Sequence, residues 1–202
     1  KGLLFQAQEQ QEALDLIETK LGSLLTANDG ADDYLADVLA GNVFEAHNVA
    51  AQAVSAALTT TYTGLCVSNP VASQVNLVII GVNYALSVAP AGIASLHLIS
   101  GFSETTDVTH GTPLAAPGIQ NCKVGSSASG SAKADSAATT VNPTYRRAMG
   151  SGFTAGALYG TTPSWIRLRP VIVVPPGGWV AWGALTAVTG LGSIAWKEKP
   201  IA

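Results

Sequence analysis

The chain has 202 residues, which is enough for one main domain with an appendage and for a core that needs neither disulfides nor bound metal. Charged residues make up only 11% of the chain, against about 25% in ordinary soluble domains, while hydrophobic residues reach 48%. A folded chain with so few charges exposes much apolar surface, so we expect partner subunits to cover part of it.

The net charge of −3 is unevenly distributed along the chain. Residues 1–45 hold nine acidic and two basic residues, and residues 46–202 hold four acidic and eight basic ones. The scattered basic residues give no dense positive field, so nucleic acid is not expected as a main partner. Residues 46–103 contain no Asp, Glu, Lys or Arg, but their best apolar run, residues 77–89, is shorter than the ~20 residues that span a bilayer. We expect no membrane partner.

The N-terminal segment predicts an amphipathic helix, because apolar residues recur at alternating steps of three and four. The heptad seam consists of Leu14, Ile17, Leu21 and Leu24. We expect these four residues to form an oligomer or anchor interface. Other copies of this chain, another protein, or the chain's own barrel could cover the seam, and self-association is the favoured reading.

A second, shorter helix is predicted within residues 28–42. Asn28 or Asp29 can cap its N-terminus, acidic residues fill its first turn, and Gly41 provides a stop at its C-terminal end. Together the two helices predict an N-terminal helical arm over residues 1–42, followed by a β domain over residues 43–202.

From residue 43 onward the pattern changes to β-branched and alternating residues that are punctuated by Gly and Pro. Eight short strands without an intervening helix predict an all-β fold, a jelly-roll-like β-sandwich or barrel. The predicted strands cover residues 54–67, 75–88, 93–100, 119–124, 153–158, 165–174, 179–186 and 191–196.

Three connections in the β domain are distinctive. Pro170 predicts a sheet edge or a bulge, because proline has no backbone N–H to donate. The turn formed by residues 175–178, Pro-Pro-Gly-Gly, predicts a hairpin between two apolar strands. Residues 101–118 and 125–143 are predicted to be long surface loops, and such loops on a β scaffold are where binding usually resides.

The sequence contains no recognisable catalytic or cofactor motif. His47, His97 and His110 are isolated, and we expect His97 to be a hydrogen-bonded strand residue and His110 a solvated loop residue. Cys66 and Cys122 show no metal-ligand spacing and are expected to be buried free thiols, with a disulfide between them as the less favoured alternative. We therefore expect no enzymatic activity, no metal and no cofactor.

The C-terminal third resembles small structural proteins of tailed bacteriophage virions, of the head decoration or cement type. The residues that carry the resemblance are Pro175-Pro176-Gly177-Gly178, the aromatic strand that begins at Trp179, and the closing segment from Gly192 to Pro200. The resemblance implies a homotrimer on the capsid surface of a virion. It implies that this trimer clamps neighbouring major capsid proteins together, with an N-terminal arm as an anchor and without catalytic residues.

Two other functions remain open. A receptor- or glycan-binding tip of a tail fibre or spike would use the 101–118 loop and exposed tryptophans, although packing is the favoured use of Trp165, Trp179, Trp182 and Trp196. A metal-dependent barrel enzyme would assemble histidines and a carboxylate in space. Exposed indoles would favour the first alternative, and bound metal the second.

Overall fold

The computed structural model of the chain describes residues 15, 34–56, 58–90, 92, 94–114, 118–153 and 166–201. The chain divides into two units, Lys1–Ala36 and Asp37–Ala202. The predicted heptad seam of Leu14, Ile17, Leu21 and Leu24 lies outside the described residues, so the interface remains a prediction. Within that segment only Asp15 is described, and it is helical.

One short helix, α1, is described ahead of the strands and covers Leu35–Leu39. It ends at Gly41, which has a positive φ of 78°. The Gly41 N–H donates to the Val38 carbonyl at 2.9 Å, and the Asn42 N–H donates to the Asp37 carbonyl at 2.9 Å. The predicted glycine stop is therefore confirmed, because glycine adopts this left-handed conformation without steric cost.

Asp37 ties the beginning of the second unit to the end of the chain. Its carboxylate accepts hydrogen bonds from the Lys199 ammonium at 2.7 Å and from the Lys197 ammonium at 3.1 Å. Burial alone would raise the pKa of Asp37, but the two lysines lower it below its ordinary value of 3.8. The ionised carboxylate is thus the form that the folded chain favours.

The described part of the chain is nearly all β. Its strands, in chain order, are β1 (Val43–His47), β2 (Gln52–Val54), β3 (Thr61–Ser68), β4 (Val75–Leu86), β5 (Ala94–Phe102), β6 (Thr109–Pro113), β7 (Ile119–Asn121), β8 (Lys133–Thr139), β9 (Thr144–Phe153), β10 (Ile166–Val174), β11 (Gly178–Ala184) and β12 (Val188–Pro200).

These strands form two antiparallel sheets packed as a sandwich, which confirms the predicted all-β class. Sheet A has the order β10-β4-β12-β1-β7, with β2 also paired to β12. Sheet B has the order β6-β8-β3-β11-β5-β9. In sheet A, β12 lies between β4 and β1, so the last strand of the chain occupies the middle of the sheet.

Eight of the strands pair in a nested pattern. β1 pairs with β12, β3 with β11, β4 with β10 and β5 with β9, so each early strand meets its late counterpart. The β1–β12 and β4–β10 pairs lie in sheet A, and the β3–β11 and β5–β9 pairs lie in sheet B. Strands β6, β7 and β8 stand outside this nested set, between β5 and β9 in sequence.

The main core fills the space between the two sheets. β11 contributes Val180 and Trp182, and β12 contributes Ile194 and Trp196, all of which are buried. Trp196 stacks on Phe44 of β1 with ring centroids 6.0 Å apart. Such aromatic pairs add about 0.5–1.5 kcal/mol beyond the burial of their surface, so this contact helps to fix the pairing of the first and last strands.

The outer face of sheet B is also covered, by a second apolar cluster. Trp179, Tyr62, Ile99 and Cys66 pack there with Val108, which belongs to the connection after β5. The Trp179 indole N–H donates to the Val141 carbonyl at 2.7 Å. Both faces of β11 are therefore buried, which explains why its sequence is apolar at every position.

Two predicted surface loops contain strands. Residues 101–118 include β6, and residues 125–143 include β8. The loop prediction is wrong for β8 in particular, because Ala132, Ala134 and Asp135 are buried. Small residues allow the chain to pass close to its neighbours, and their low hydrophobicity gave this buried strand the composition of a loop.

Several strand predictions need correction or fall partly outside the described residues. β1 was absent from the predicted strands, and the predicted strand 54–67 is divided between the last residue of β2 and β3, which begins at Thr61. Of the predicted strand 153–158, only Phe153 is described, as the last residue of β9. Pro170 lies in the edge strand β10, where the register is irregular between Arg167 and Ile172, as predicted.

The predicted hairpin at residues 175–178 is wrong. The strands that flank it, β10 and β11, lie in different sheets, so the turn is a crossover between sheets. Gly177 has a φ of 79°, its N–H donates to the Asn69 carbonyl at 2.8 Å, and its carbonyl accepts from the Ser103 N–H at 3.1 Å. The turn is therefore hydrogen-bonded to the connection that follows β3 and to the one that follows β5.

We expect Gly177→Ala to lower the free energy of unfolding by about 2–5 kcal/mol. The added Cβ would be strained by the positive φ and would overlap the Ser103 carbonyl oxygen. Gly125 is a matched control, because it has a similar φ of 82° but open space around its Cβ position. Gly125→Ala should cost only about 1–2 kcal/mol in urea unfolding. Equal losses would contradict the close approach at Gly177.

Candidate functional site

An open cleft lies at one side of the sandwich, where the β7 edge of sheet A faces the β6 and β8 side of sheet B. Its volume is about 700 Å³. The described lining consists of Phe44, His110, Pro113, Leu114, Ile119, Gln120, Asn121, Lys123, Val124, Gly125, Ser126, Ala128, Ser129, Gly130, Ala132, Lys133 and Ala134. Most of these residues belong to the two segments that were predicted to be binding loops.

The ionisable side chains that line this cleft are all basic. His110, Lys123 and Lys133 contribute basic side chains, and none of the described lining residues is acidic. The Lys123 ammonium donates to the Leu39 carbonyl at the end of α1, at 2.9 Å. Lys133 is exposed at the start of β8. In a chain with so few charges, this arrangement favours a ligand that carries negative charge.

His110 contacts the buried carboxylate of Asp135. Its Nδ1 lies 2.6 Å from Oδ2 of Asp135, whose side chain is 0% exposed against 34% for the histidine. Asp135 Oδ1 has no hydrogen-bond partner among the described residues. Because Nδ1 faces Asp135, the other ring nitrogen, Nε2, remains to act toward a ligand. His110 is exposed as predicted, but the prediction of a loop residue is wrong, since His110 lies on β6 and is anchored to Asp135 of β8.

The Asp135 carboxylate alters the ionisation of its surroundings. Burial raises the pKa of Asp135 above its ordinary value of 3.8, and the hydrogen bond and charge of His110 partly oppose that rise. Cys66 lies opposite Asp135 in the β3 and β8 register. Burial, together with the charge of Asp135, raises the pKa of the Cys66 thiol. Cys66 is therefore held as a protonated thiol, which is a poor nucleophile.

One wall of the cleft is attached to the last strand through Glu198. Its Oε1 accepts hydrogen bonds from the Ser131 N–H at 2.7 Å and from the Ala132 N–H at 3.3 Å. The Trp196 indole N–H also points to this oxygen, at 3.4 Å. The Glu198 carboxylate thus fixes the segment that leads into β8. Its role in the cleft is to hold this wall in place.

The remaining predicted residues have structural positions. His97 lies on β5, where its Nε2 is 2.9 Å from the Ser95 hydroxyl, as expected for a hydrogen-bonded strand residue. Cys66 is a buried free thiol as predicted, whereas the free thiol of Cys122 is only half-buried. Over the part of the chain that the structure covers, no group of three or more His, Cys, Asp or Glu residues could hold a metal ion.

The tryptophans of the C-terminal region are packing residues where they are described. Trp179, Trp182 and Trp196 are each at most 1% exposed, and Trp165 lies outside the described residues. Tyr84 packs against Trp182 with ring centroids 5.3 Å apart. None of the three described indoles is available to stack on a sugar ring.

The sequence signal for the cleft was partial. The two loop-like segments were identified as the place for binding, but the individual residues were not. Asp135 stands in an Ala- and Ser-rich run that has the composition of a loop, and nothing in the sequence pairs it with His110, which lies 25 residues earlier. The pairing follows from the β6 and β8 ladder, which only the fold shows.

Within the described ranges, no helix is both long enough and apolar enough to cross a bilayer. Comparison of the chain with protein-family models, with curated proteins and with solved structures gave no match.

We expect the Asp135 and His110 pair to make stability depend on pH. Because the pKa of Asp135 is raised in the folded state, the folded protein binds a proton that the unfolded chain has already released. Its contribution to stability is therefore greatest below pH 3.8 and is lost as pH rises through the raised pKa. The test is to measure the free energy of unfolding in urea from about pH 3 to 6. As the pH rises over this range, the stability of Asp135→Asn should increase relative to that of wild type.

The matched variant is His110→Gln, which removes the group that lowers the pKa of Asp135. The pH-dependent loss of stability should then extend to higher pH than in wild type. Parallel pH profiles for wild type, Asp135→Asn and His110→Gln would show that Asp135 does not titrate as its burial requires.

Proposed function

We propose that this protein is a structural component of a bacteriophage virion, which decorates the capsid surface as a homotrimer and clamps neighbouring capsid subunits together. The observation that carries the proposal is the use of its aromatic residues. The three described tryptophans of the segment that resembles decoration proteins are buried, as expected for a rigid scaffold and not for a sugar-binding surface.

The proposed fold is a jelly roll. Such a fold forms when a long antiparallel ladder of eight strands wraps around itself, so that strands pair from the outside inward. The nested pairs β1 with β12, β3 with β11, β4 with β10 and β5 with β9 are the pairs of such a ladder, and they alternate between the two sheets. This pairing supports the jelly roll over a simple sandwich of sequential hairpins.

The exposed surface supports association with further protein. β10 pairs only with β4 among the described strands and so forms an edge of sheet A, where Val171 and Val173 are 41% and 51% exposed. Exposed apolar side chains on an edge strand favour pairing or packing with another chain. If copies of the chain associate through the heptad seam, we expect their β domains to make additional contacts through exposed apolar residues such as those of β10.

The trimer predicts a mass of about 62 kDa by light scattering, three times the 20.5 kDa of the chain. Ile17→Asp, which places a charge in the predicted seam, should reduce the mass toward that of a monomer. Thr19→Asp places the same charge on the opposite side of the predicted helix and should leave the trimer intact. A wild-type monomer at micromolar concentration would rule out the trimer.

Location on the virion tests the decoration function itself. Antibodies raised against the purified chain should label particle heads, visible by electron microscopy, on virions that contain this protein. Labelling of tail tips would instead favour the alternative, a receptor- or glycan-binding component of a tail fibre or spike. That alternative would also require binding on a glycan array, and we expect the array to show none.

A further inference from the structure

The edge of sheet A inside the cleft has backbone groups that face away from its partner strand. Gly118 accepts a hydrogen bond from the His47 N–H, and the Cys122 N–H donates to the Val43 carbonyl, each at 2.9 Å. Because hydrogen-bonding direction alternates along a strand, the amide groups of Ile119 and Asn121 point away from β1, toward the cleft side. β7 has no second partner strand among the described residues.

The opposite side of the cleft presents a second edge. β6 pairs only with β8 among the described strands, and all five of its residues are exposed. The walls between the two edges are formed largely by small residues, including Ser126, Ala128 and Gly130. These small side chains leave room for an extended backbone beside β7.

The charge in the cleft defines the side chains that such a strand would carry. Lys133, Lys123 and His110 line the same cleft as the three residues of β7, and the described lining holds no acidic residue. Lys133 forms no ion pair with a described residue, so its charge is available to a ligand. Electrostatic complementarity then favours carboxylates on the incoming segment.

The same surface does not suit a saccharide. Stacking of a sugar ring needs an exposed aromatic ring, and the one aromatic side chain in the described lining, Phe44, is 3% exposed and stacked on Trp196. The free amide groups of β7, by contrast, are ligands for a peptide backbone. The cleft therefore favours a peptide over an acidic sugar.

We infer that the cleft binds an extended acidic peptide segment of a partner protein, which adds as a strand to β7 and places its carboxylates against Lys133, Lys123 and His110. Main-chain hydrogen bonds would supply affinity, and the basic side chains would supply selectivity. This inference goes beyond the proposed function and does not rest on it, because peptide binding could hold even if the protein is not found on capsids.

The test uses the full-length protein and a capped peptide of alternating Asp and Val, about ten residues long, which places its carboxylates on one face of a strand. Binding is measured by fluorescence anisotropy, and it should weaken as salt is raised. Lys133→Glu should weaken binding at least tenfold. Arg169→Glu, the same charge change on the opposite edge of sheet A, should have little effect, and circular dichroism confirms that both variants are folded.

Two further probes separate strand addition from simple charge attraction. The same peptide with N-methyl groups on alternate residues, which cannot donate backbone hydrogen bonds, should lose binding although its charge is unchanged. Polygalacturonate should compete poorly. The inference is overturned if the peptide does not bind, if the N-methylated peptide binds equally well, if Arg169→Glu weakens binding as much as Lys133→Glu, or if the sugar polymer binds in preference.

Discussion

The pairing of β12 between β1 and β4 is the constraint on which the rest of the structure depends. This strand joins β1, β2 and β4 in one sheet and contributes Ile194 and Trp196 to the core. Since β12 follows all other described strands and pairs with β1 and β4, the centre of sheet A joins residues that lie far apart in sequence. The entropy of closing such long loops is lost before burial of the core compensates for it. We therefore expect folding to be slow and cooperative.

The few carboxylates of the body act mainly as connectors between elements. Glu198 of β12 holds the segment before β8, and Asp37 is held by two lysines of the same strand. Asp107 accepts from the Val71 N–H at 2.6 Å, and Asp135 holds His110. Because these acidic groups are engaged within the protein, and Lys133 forms no ion pair with a described residue, the charge of Lys133 is left available to a ligand.

The sequence was informative where hydrophobic pattern and local structure agree. Continuous apolar runs correctly indicated β4 and β10 to β12, and the Gly41 stop and the irregularity at Pro170 were foreseen. It failed at β8, because Ala and Ser provide little hydrophobic signal even when close packing buries them. It also mistook the crossover at residues 175–178 for a hairpin, since turn residues report a reversal of the chain but not the sheet to which it leads.

The candidate site could be predicted only in part, for the same physical reason. A cleft of this kind is made by strand pairing over long sequence distances, and no local pattern in the chain encodes which residues face each other. The nested pairing of eight strands is complete without β6, β7 and β8, which lie between β5 and β9 in the chain. These three strands extend both sheets on one side and leave the gap that forms the cleft. The inserted strands also contribute to the core, since Ala134 of β8 is buried in it, but they place the cleft beside the nested pairs, where a rigid β scaffold commonly carries binding.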